Sequence, residues 1–478
     1  MGDRKVDVAV IGAGTAGLNA RASAARAGAS TLLVEAGPHG TTCARVGCMP
    51  SKLLIAAADS AWRIAEAGRF GIEVEGPVRV DGPAVLERVR RERDRFVGFV
   101  LDSVKRLPPD ARLDGRARFV GPTRLEVDGR GQIEARAIVL ATGSTPFVPP
   151  ELDAIREHVI VNDDVFELPD LPESVAVVGA GVVALELGQA LHRLGVRVGV
   201  FARSENLASL GDPVVREAAA AVLGSELALR RDARIEVCGD PERGFRVRWH
   251  TDREGDGEET YQHVLAAAGR RPNLAGLDLE RAGLSLDGRG RLAHDPGTLQ
   301  VGDAPIFLAG DVTGEKAILH EAADEGRIAG ANAAAFPAVL SPKRRTPLSI
   351  AFTSPEIARV GAGFAGLDPD TSEVGAVDYR DQGRARVMGE NRGVVRIYGE
   401  CESGRLLGAE MFGPGVEHTA HLLAWAVQAG RTVDEALASP FYHPVVEEGL
   451  QTALRDLAAR LRRCAPRCDA DLESGPGN

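Results

Sequence analysis

Twice in its 478 residues the chain passes from a continuous apolar run straight into a glycine fingerprint and out into a segment of small and apolar residues. The first copy is residues 6–11, then Gly12-Ala13-Gly14-Thr15-Ala16-Gly17, then an Ala- and Arg-rich stretch to Gly28. The second is residues 174–178, then Gly179-Ala180-Gly181-Val182-Val183-Ala184. A buried parallel strand reads as an unbroken apolar run, and G-x-G-x-x-G or -A between such a strand and a helix is the dinucleotide-binding signature. In the first copy Gly12 allows the tight turn, Gly14 lets backbone approach a pyrophosphate, and Gly17 lets the helix lie close to the sheet. A further apolar run, 29–34, ends at Glu35, an acid at the distance where a ribose hydroxyl needs an acceptor. The second copy has its counterpart strand at 196–201, which ends in Ala202-Arg203 with no acid. A guanidinium fork in that place suits the 2′-phosphate of NADPH, and NADH remains the alternative. Two such units imply two dinucleotides and a passage of two electrons between them. The expected class is α/β with two Rossmann-like domains, and the length implies about three domains in all.

Cys43 and Cys48 stand just downstream of the first unit, in Gly40-Thr41-Thr42-Cys43-Ala44-Arg45-Val46-Gly47-Cys48-Met49-Pro50-Ser51-Lys52. A C-x4-C spacing without neighbouring His or further Cys is poor for zinc and good for reversible thiol-disulfide exchange. Both cysteines are expected at the start of a helix that continues through Lys52, where orphan backbone donors favour a thiolate. Two inert buried cysteines are the plain alternative, and their position beside a nucleotide unit argues against it.

Composition removes other classes. A net charge of -11 with no long basic block excludes a nucleic-acid groove as the main activity. No run reaches the length of about 18 apolar residues that a membrane span needs, and the N-terminus lacks the core of a signal peptide. Six cysteines in a chain this long are not a secreted disulfide framework, so a cytoplasmic protein is expected, with no metal site.

The segment Thr42-Cys43-(x4)-Cys48-Met49-Pro50-Ser51-Lys52 resembles the redox-active segment of the class I pyridine nucleotide-disulfide oxidoreductases, the flavoenzyme family of dihydrolipoamide dehydrogenase, glutathione reductase and mercuric reductase. The resemblance extends over about residues 6 to 460 and implies FAD on the first unit and NAD(P) on the second. It implies that Cys43 is the interchange thiol, that Cys48 is the charge-transfer thiolate against the flavin, and that Glu186 pairs with Lys52 beside the ring. Ala141-Thr142-Gly143-Ser144 is similar to the family's crossover into the second domain, and Gly269-Arg270-Arg271-Pro272-Asn273 to its G-R-x-P-N return. Asp311 matches the acid on the ribityl chain, and His320, at the start of a helix facing the pyrimidine side, is as in dihydrolipoamide dehydrogenases. His443-Pro444-(x3)-Glu448 matches H-P-x-x-x-E, in which the acid fixes the tautomer of an acid-base histidine delivered to Cys43 of the partner chain. A homodimer with shared active sites follows from the resemblance. The implied division is 1–148 for FAD and the thiol pair, 149–273 for NAD(P), 274–345 central and FAD-binding, 346–460 an α+β interface domain, and 461–478 a tail with Cys464 and Cys468.

The expected substrate is a small disulfide or dithiol, with lipoamide first because 48–52 and His320 look most like dihydrolipoamide dehydrogenase. Glutathione fits less well, since the arginine that glutathione reductase carries on its first helix aligns with Ala22. The pair Ala202-Arg203 is as in glutathione reductase and mercuric reductase, but their second phosphate-binding arginine aligns with Ser209. A mercuric reductase-like metal reductase is the alternative, as is a reductase of another low-molecular-weight disulfide. Three residues separate Cys464 from Cys468 where mercuric reductase has adjacent cysteines, and His443 is retained where that enzyme has none. A flavin-bound scaffold without turnover would not need Cys43, Cys48, His443 and Glu448 together. Reaction direction stays open.

Overall fold

The computed structural model describes residues 3–464. The strand Arg4–Ile11, fully buried over its second half, pairs in parallel with Thr31–Glu35 on one side and Gly131–Leu140 on the other. The ten-residue strand Gly131–Leu140 serves two purposes: its first half pairs antiparallel with Arg124–Val127, and its last residues pair in parallel with Ile306–Leu308. Residues 306–308 thereby return to the first sheet after the whole second nucleotide unit has been inserted, which is why a segment so late in the chain contributes to the first site. The helix Thr15–Arg26 crosses Leu319–Ala335 at backbone contact, since a Cβ on Gly326 would lie 2.2 Å from Ala16 O and one on Gly330 would lie 2.1 Å from Ala20 O.

The second sheet is parallel among the described residues, in the order Ala228–Arg230, Arg197–Phe201, Ser174–Val178, His263–Ala266, Ile160–Val161. Beside it lies an antiparallel meander, Arg234–Asp240, Gly244–Thr251 and Gly255–Tyr261. The entry and exit of this unit are joined as a two-stranded ladder, Ser144–Pro146 against Arg270–Pro272.

From Leu348 the chain forms an antiparallel sheet in the order Leu348–Ala351, Glu356–Gly361, Leu406–Gly413, Val394–Glu400, Ser372–Asp378. The helices Val416–Gln428 and Glu447–Cys464 cover it and bury Tyr379, Ile397, Met411, Ala420, Leu454 and Leu457. A buried carboxylate pair ties this sheet to the second nucleotide unit. Glu410 Oε2 accepts from the amides of Gly211 and Asp212, each at 2.8 Å, while Asp212 Oδ2 accepts from Arg396 Nε at 2.7 Å and Tyr398 OH at 3.0 Å. Both acids have no solvent exposure, a position tolerated only with this number of donors.

Candidate active site

The two nucleotide units are built alike in atomic detail. Gly12 has φ +106° and a Cβ there would lie 2.3 Å from Ala141 O; Gly179 has φ +128° and its Cβ would lie 2.3 Å from Ala267 O. Each first glycine therefore turns the chain against the carbonyl of a neighbouring strand end, where no L-residue fits. Gly14 and Gly181 occupy the N-cap positions of Thr15–Arg26 and Val182–Arg193, with no side-chain cap and open space where a Cβ would stand. Uncapped amides at a helix start beside open space are an anion cradle, so both units fit a pyrophosphate. Glu35 accepts from Ala13 N at 2.6 Å and Gly37 N at 2.7 Å, which fixes its carboxylate at the turn and leaves lone pairs for a ribose. In the second unit Ala202 is buried, while Arg203 is exposed and has no hydrogen-bond or ion-pair partner among the described residues. Ser209 sits nearby with φ +62°.

The thiols lie on two helices rather than one, which corrects the sequence expectation. Cys43 belongs to the five-residue helix Thr42–Val46, capped by Thr41 Oγ1 accepting from Ala44 N at 3.2 Å, and Cys48 opens the helix Cys48–Ala65. On one continuous helix residues five apart would point about 140° away from each other. Gly47 breaks the helix with φ -120° and ψ -119°, and a Cβ there would come within 3.1 Å of Cys43 Cα. The break is what lets the two thiols meet. Both are free, and each thiol acts on the titration of the other. The neighbouring Cys43, helped by the Lys52 ammonium, brings the Cys48 thiol down to about 7. The neighbouring Cys48 and burial push the Cys43 thiol up, so Cys48 is the more acidic of the two.

Lys52 Nζ lies 2.6 Å from Glu186 Oε2, with Glu186 only 4% exposed and Lys52 33% exposed. Glu186 Oε1 accepts from Phe352 N at 2.9 Å, and Lys52 Nζ stands 4.5 Å from the centroid of the Phe352 ring. One ion pair thus joins the thiol helix, the second nucleotide helix and the start of the interface sheet.

At the crossover, Arg270 Nε donates to Ser144 Oγ at 2.7 Å and Ser144 Oγ donates to Asp311 Oδ2 at 2.7 Å. Thr142 Oγ1 donates to Asn273 O at 2.7 Å, and Asn273 Nδ2 returns a bond to Thr142 O at 3.1 Å. Arg270 also reaches Asn162, whose Nδ2 holds Val46 O inside the thiol loop at 2.9 Å. Gly143 and Gly269 flank this network with φ +72° and +116°. His320 is exposed on the first turn of Leu319–Ala335. Ser144 and Arg270 were quoted in the sequence motifs without a role of their own, and Asn162 and Phe352 were not singled out at all. Ser144 and Arg270 each follow a flagged glycine and could have been found; Phe352 acts through its amide and ring face, which no motif records.

His443 Nδ1 donates to Glu448 Oε1 at 2.9 Å, and Glu448 Oε2 accepts from Val445 N at 3.2 Å. The bond from His443 holds the Glu448 carboxyl below its usual range. With Nδ1 engaged, Nε2 is the ring nitrogen left for proton transfer. His443 is 80% exposed, and among the described residues no hydrogen bond or ion pair joins it to Cys43 or Cys48 of its own chain. Beside it a groove of about 680 Å³ is lined by Trp425, Tyr442, Phe441 and Leu454, the first two being 67% and 79% exposed. Cys464 is half-buried at the end of the last helix, and Cys468 lies outside the described residues. Among the described residues no cluster could hold a metal ion, and no helix is long and apolar enough to cross a membrane.

Two nucleotide cradles with a poised dithiol between them define a two-cofactor thiol oxidoreductase. Residues 6–335 match the pyridine nucleotide-disulphide oxidoreductases and residues 348–454 match the dimerisation domain of the same proteins; the chain belongs to this family. It is an NAD(P)H-dependent, FAD-binding flavoprotein disulfide reductase with a dimerisation domain. Dihydrolipoyl dehydrogenase 3 of Pseudomonas aeruginosa is 32% identical, over 95% of this chain and 98% of that one. The dihydrolipoyl dehydrogenase of Halobacterium salinarum is 31% identical, over 94% and 95%. In fold the chain resembles the HOCl-induced flavoprotein disulfide reductase RclA from Escherichia coli, solved as a Cu(II) complex, with a TM-score of 0.79 at 22% identity over 96% of this chain and 99% of that one.

Proposed function

We propose that the enzyme passes electrons between NADPH and a small disulfide or dithiol through FAD and the pair Cys43 and Cys48, with lipoamide and dihydrolipoamide as the substrate couple. The observation that carries this reading is the geometry of the thiol loop: Gly47 breaks the chain into two helices so that Cys43 and Cys48 lie against each other as free thiols, with Lys52 and Glu186 beside them. Similarity over nearly full length to two dihydrolipoyl dehydrogenases supports the choice of substrate.

Bound FAD supplies the two-electron relay between nicotinamide and sulfur. Gly12, Gly14, Gly17, Glu35, Gly143, Asp311 and the helix start at His320 would hold it, with Thr42 and Lys52 on the sulfur side. Gly179, Gly181, Gly269 and Arg203 would hold the nicotinamide nucleotide, Arg203 reading its 2′-phosphate. In the reduced pair Cys43 carries the proton and must lose it before it can attack a disulfide. The family resemblance assigns the base that takes this proton to the partner's His443, whose Nδ1 is engaged by Glu448. Once Cys43 has bonded to a substrate sulfur, the imidazolium returns the proton to the departing thiolate. Cys48 then displaces the second substrate sulfur and closes the disulfide. The chemistry suits a reducing, cytoplasmic setting in which free thiols persist.

Anaerobic titration of the holoenzyme tests this, with NADPH, NADH and dihydrolipoamide as reductants and peptide-resolved alkylation as a second readout. Dihydrolipoamide is expected to bleach the flavin and leave Cys43 and Cys48 alkylatable. Reduction of the flavin by nucleotide with no thiols appearing at these two positions would overturn the reading.

A further inference from the structure

The helix Glu447–Cys464 lies along the strands Ser372–Asp378 and Val394–Glu400. It reaches the second strand at Gly399, where a Cβ would stand 3.1 Å from Leu457 Cδ2 and 3.2 Å from Leu461 Cδ1. Two residues beyond Gly399, at the turn that ends the strand, comes Cys401, which packs against the apolar cluster that contains Leu457 and Leu461. Three residues beyond Leu461, on the same helix face, comes Cys464. The ladder that pairs Glu373 with Gly399 continues to this point, because Cys401 N donates to Thr371 O at 2.8 Å. Cys464 Sγ donates to Glu373 Oε1 at 3.4 Å, and the Cys401 thiol is close enough to Cys464 to act on its titration. Both are free. The expected tail pair of Cys464 and Cys468 therefore has a rival: Cys464 meets a cysteine far away in sequence, in a place no spacing rule would flag.

We propose that Cys401 and Cys464 are a second dithiol, which closes to a disulfide by exchange with a low-molecular-weight disulfide and staples the C-terminal helix to the interface sheet. The neighbouring Cys401, then burial and Glu373, push the Cys464 thiol up to about 12, so Cys464 is not the thiol that starts the reaction. Cys401 gives its proton to solvent and its thiolate attacks one sulfur of RS–SR. That S–S bond breaks, RS⁻ departs and takes up a proton, and Cys401 is left as a mixed disulfide. Cys401 then no longer competes for the proton of Cys464. Cys464 passes that proton to Glu373, attacks the Cys401 sulfur, and expels the second RS⁻, which is protonated in turn. Two thiols lose two electrons and two protons, and the small disulfide leaves as two thiols. Metal capture is a poorer use of the pair, since among the described residues no group of three His, Cys, Asp or Glu is arranged to hold a metal ion. The far end of the stapled helix carries Glu448, so closure fixes the support of His443.

The test uses the full-length holoenzyme, incubated with glutathione disulfide, alkylated, digested without reductant and mapped by mass spectrometry. A peptide containing Cys401 joined to one containing Cys464 is expected. The oxidised protein should unfold at a higher temperature than the dithiothreitol-treated one, and Cys464→Ser and Cys401→Ser should each abolish that difference. If Cys401→Ser does not fold, Cys464→Ser and the wild-type map still decide. Joining of Cys464 to Cys468, single blockage of each cysteine by glutathione, or persistence of both free thiols while Cys43 and Cys48 oxidise would overturn the proposal.

Discussion

The Lys52–Glu186 pair makes a prediction with two opposite signs. Lys52 lies one helical turn beyond Cys48, and neighbours at that spacing are about 6 Å apart, where two unit charges interact by about 3 kcal/mol near a surface and about 0.7 kcal/mol in bulk water. Lys52 is one-third exposed, so its effect falls between these limits. Lys52→Met is expected to raise the pH at which Cys48 becomes a thiolate by about one unit, about 1.4 kcal/mol. Glu186 acts in the other direction on Cys48, so Glu186→Gln should lower that pH, by a smaller amount because the carboxylate stands behind the ammonium. The readout is the rate of iodoacetamide alkylation at Cys48, resolved by peptide, as a function of pH. Stability separates the charge from the hydrogen bond. Breaking a buried pair costs about 3–5 kcal/mol, less with Lys52 partly solvated, so about 2–3 kcal/mol is expected for Glu186→Gln, which can still accept from Phe352 N. Glu186→Ala also orphans that amide and should lose about 1–3 kcal/mol more in urea unfolding. Midpoints that move in the same direction in Lys52→Met and Glu186→Gln, or equal stability of the Gln and Ala variants, would refute the reasoning.

Arg203→Glu should raise KM for NADPH tenfold for each 1.4 kcal/mol or so of lost phosphate contact while leaving NADH unharmed; equal effects in steady-state assays would remove Arg203 from the site. His443→Gln should slow disulfide turnover by about 10²–10⁴-fold without slowing flavin reduction by the nucleotide. Mixed dimers of a His443→Gln chain with a Cys43→Ser chain should regain one working site, and failure to regain activity would argue against exchange of His443 between subunits. Burial pushes the Glu356 carboxyl up from 4.5 to about 7, so between these values the folded chain holds a proton that the unfolded chain has released, and stability falls as pH rises through that window. Glu356→Gln, which can still accept from Glu417 N, should match wild type near pH 4 and exceed it by about 3 kcal/mol near pH 8, in urea unfolding at fixed protomer concentration.

The glycine fingerprints were legible because each is a steric necessity: Gly12 and Gly179 face a carbonyl at a distance that excludes a side chain. The thiol pair was legible as chemistry but not as geometry. Residue spacing suggested one helix, and only the fold shows that Gly47 interrupts it. Lys52 and Glu186 could be paired by resemblance, whereas the third member of their cluster, Phe352, comes from a sheet whose place is decided by packing across the whole chain. The contact between Cys401 and Cys464 was illegible for the same reason, since it depends on the register of a helix on a sheet.

The pair Asp212 and Glu410 has a consequence for how the two halves of the catalytic cycle communicate. Because neither carboxylate can be exposed without losing several donors at once, the loop that opens the helix Pro213–Glu226 and the sheet of the dimerisation domain are held together as one part. If subunits associate through this sheet and the nucleotide binds beside this loop, any coupling between the two is reciprocal: a change that weakens one weakens the other by the same free energy. Dilution alone is expected to lower affinity for the reduced nucleotide, and saturating nucleotide is expected to hold the subunits together.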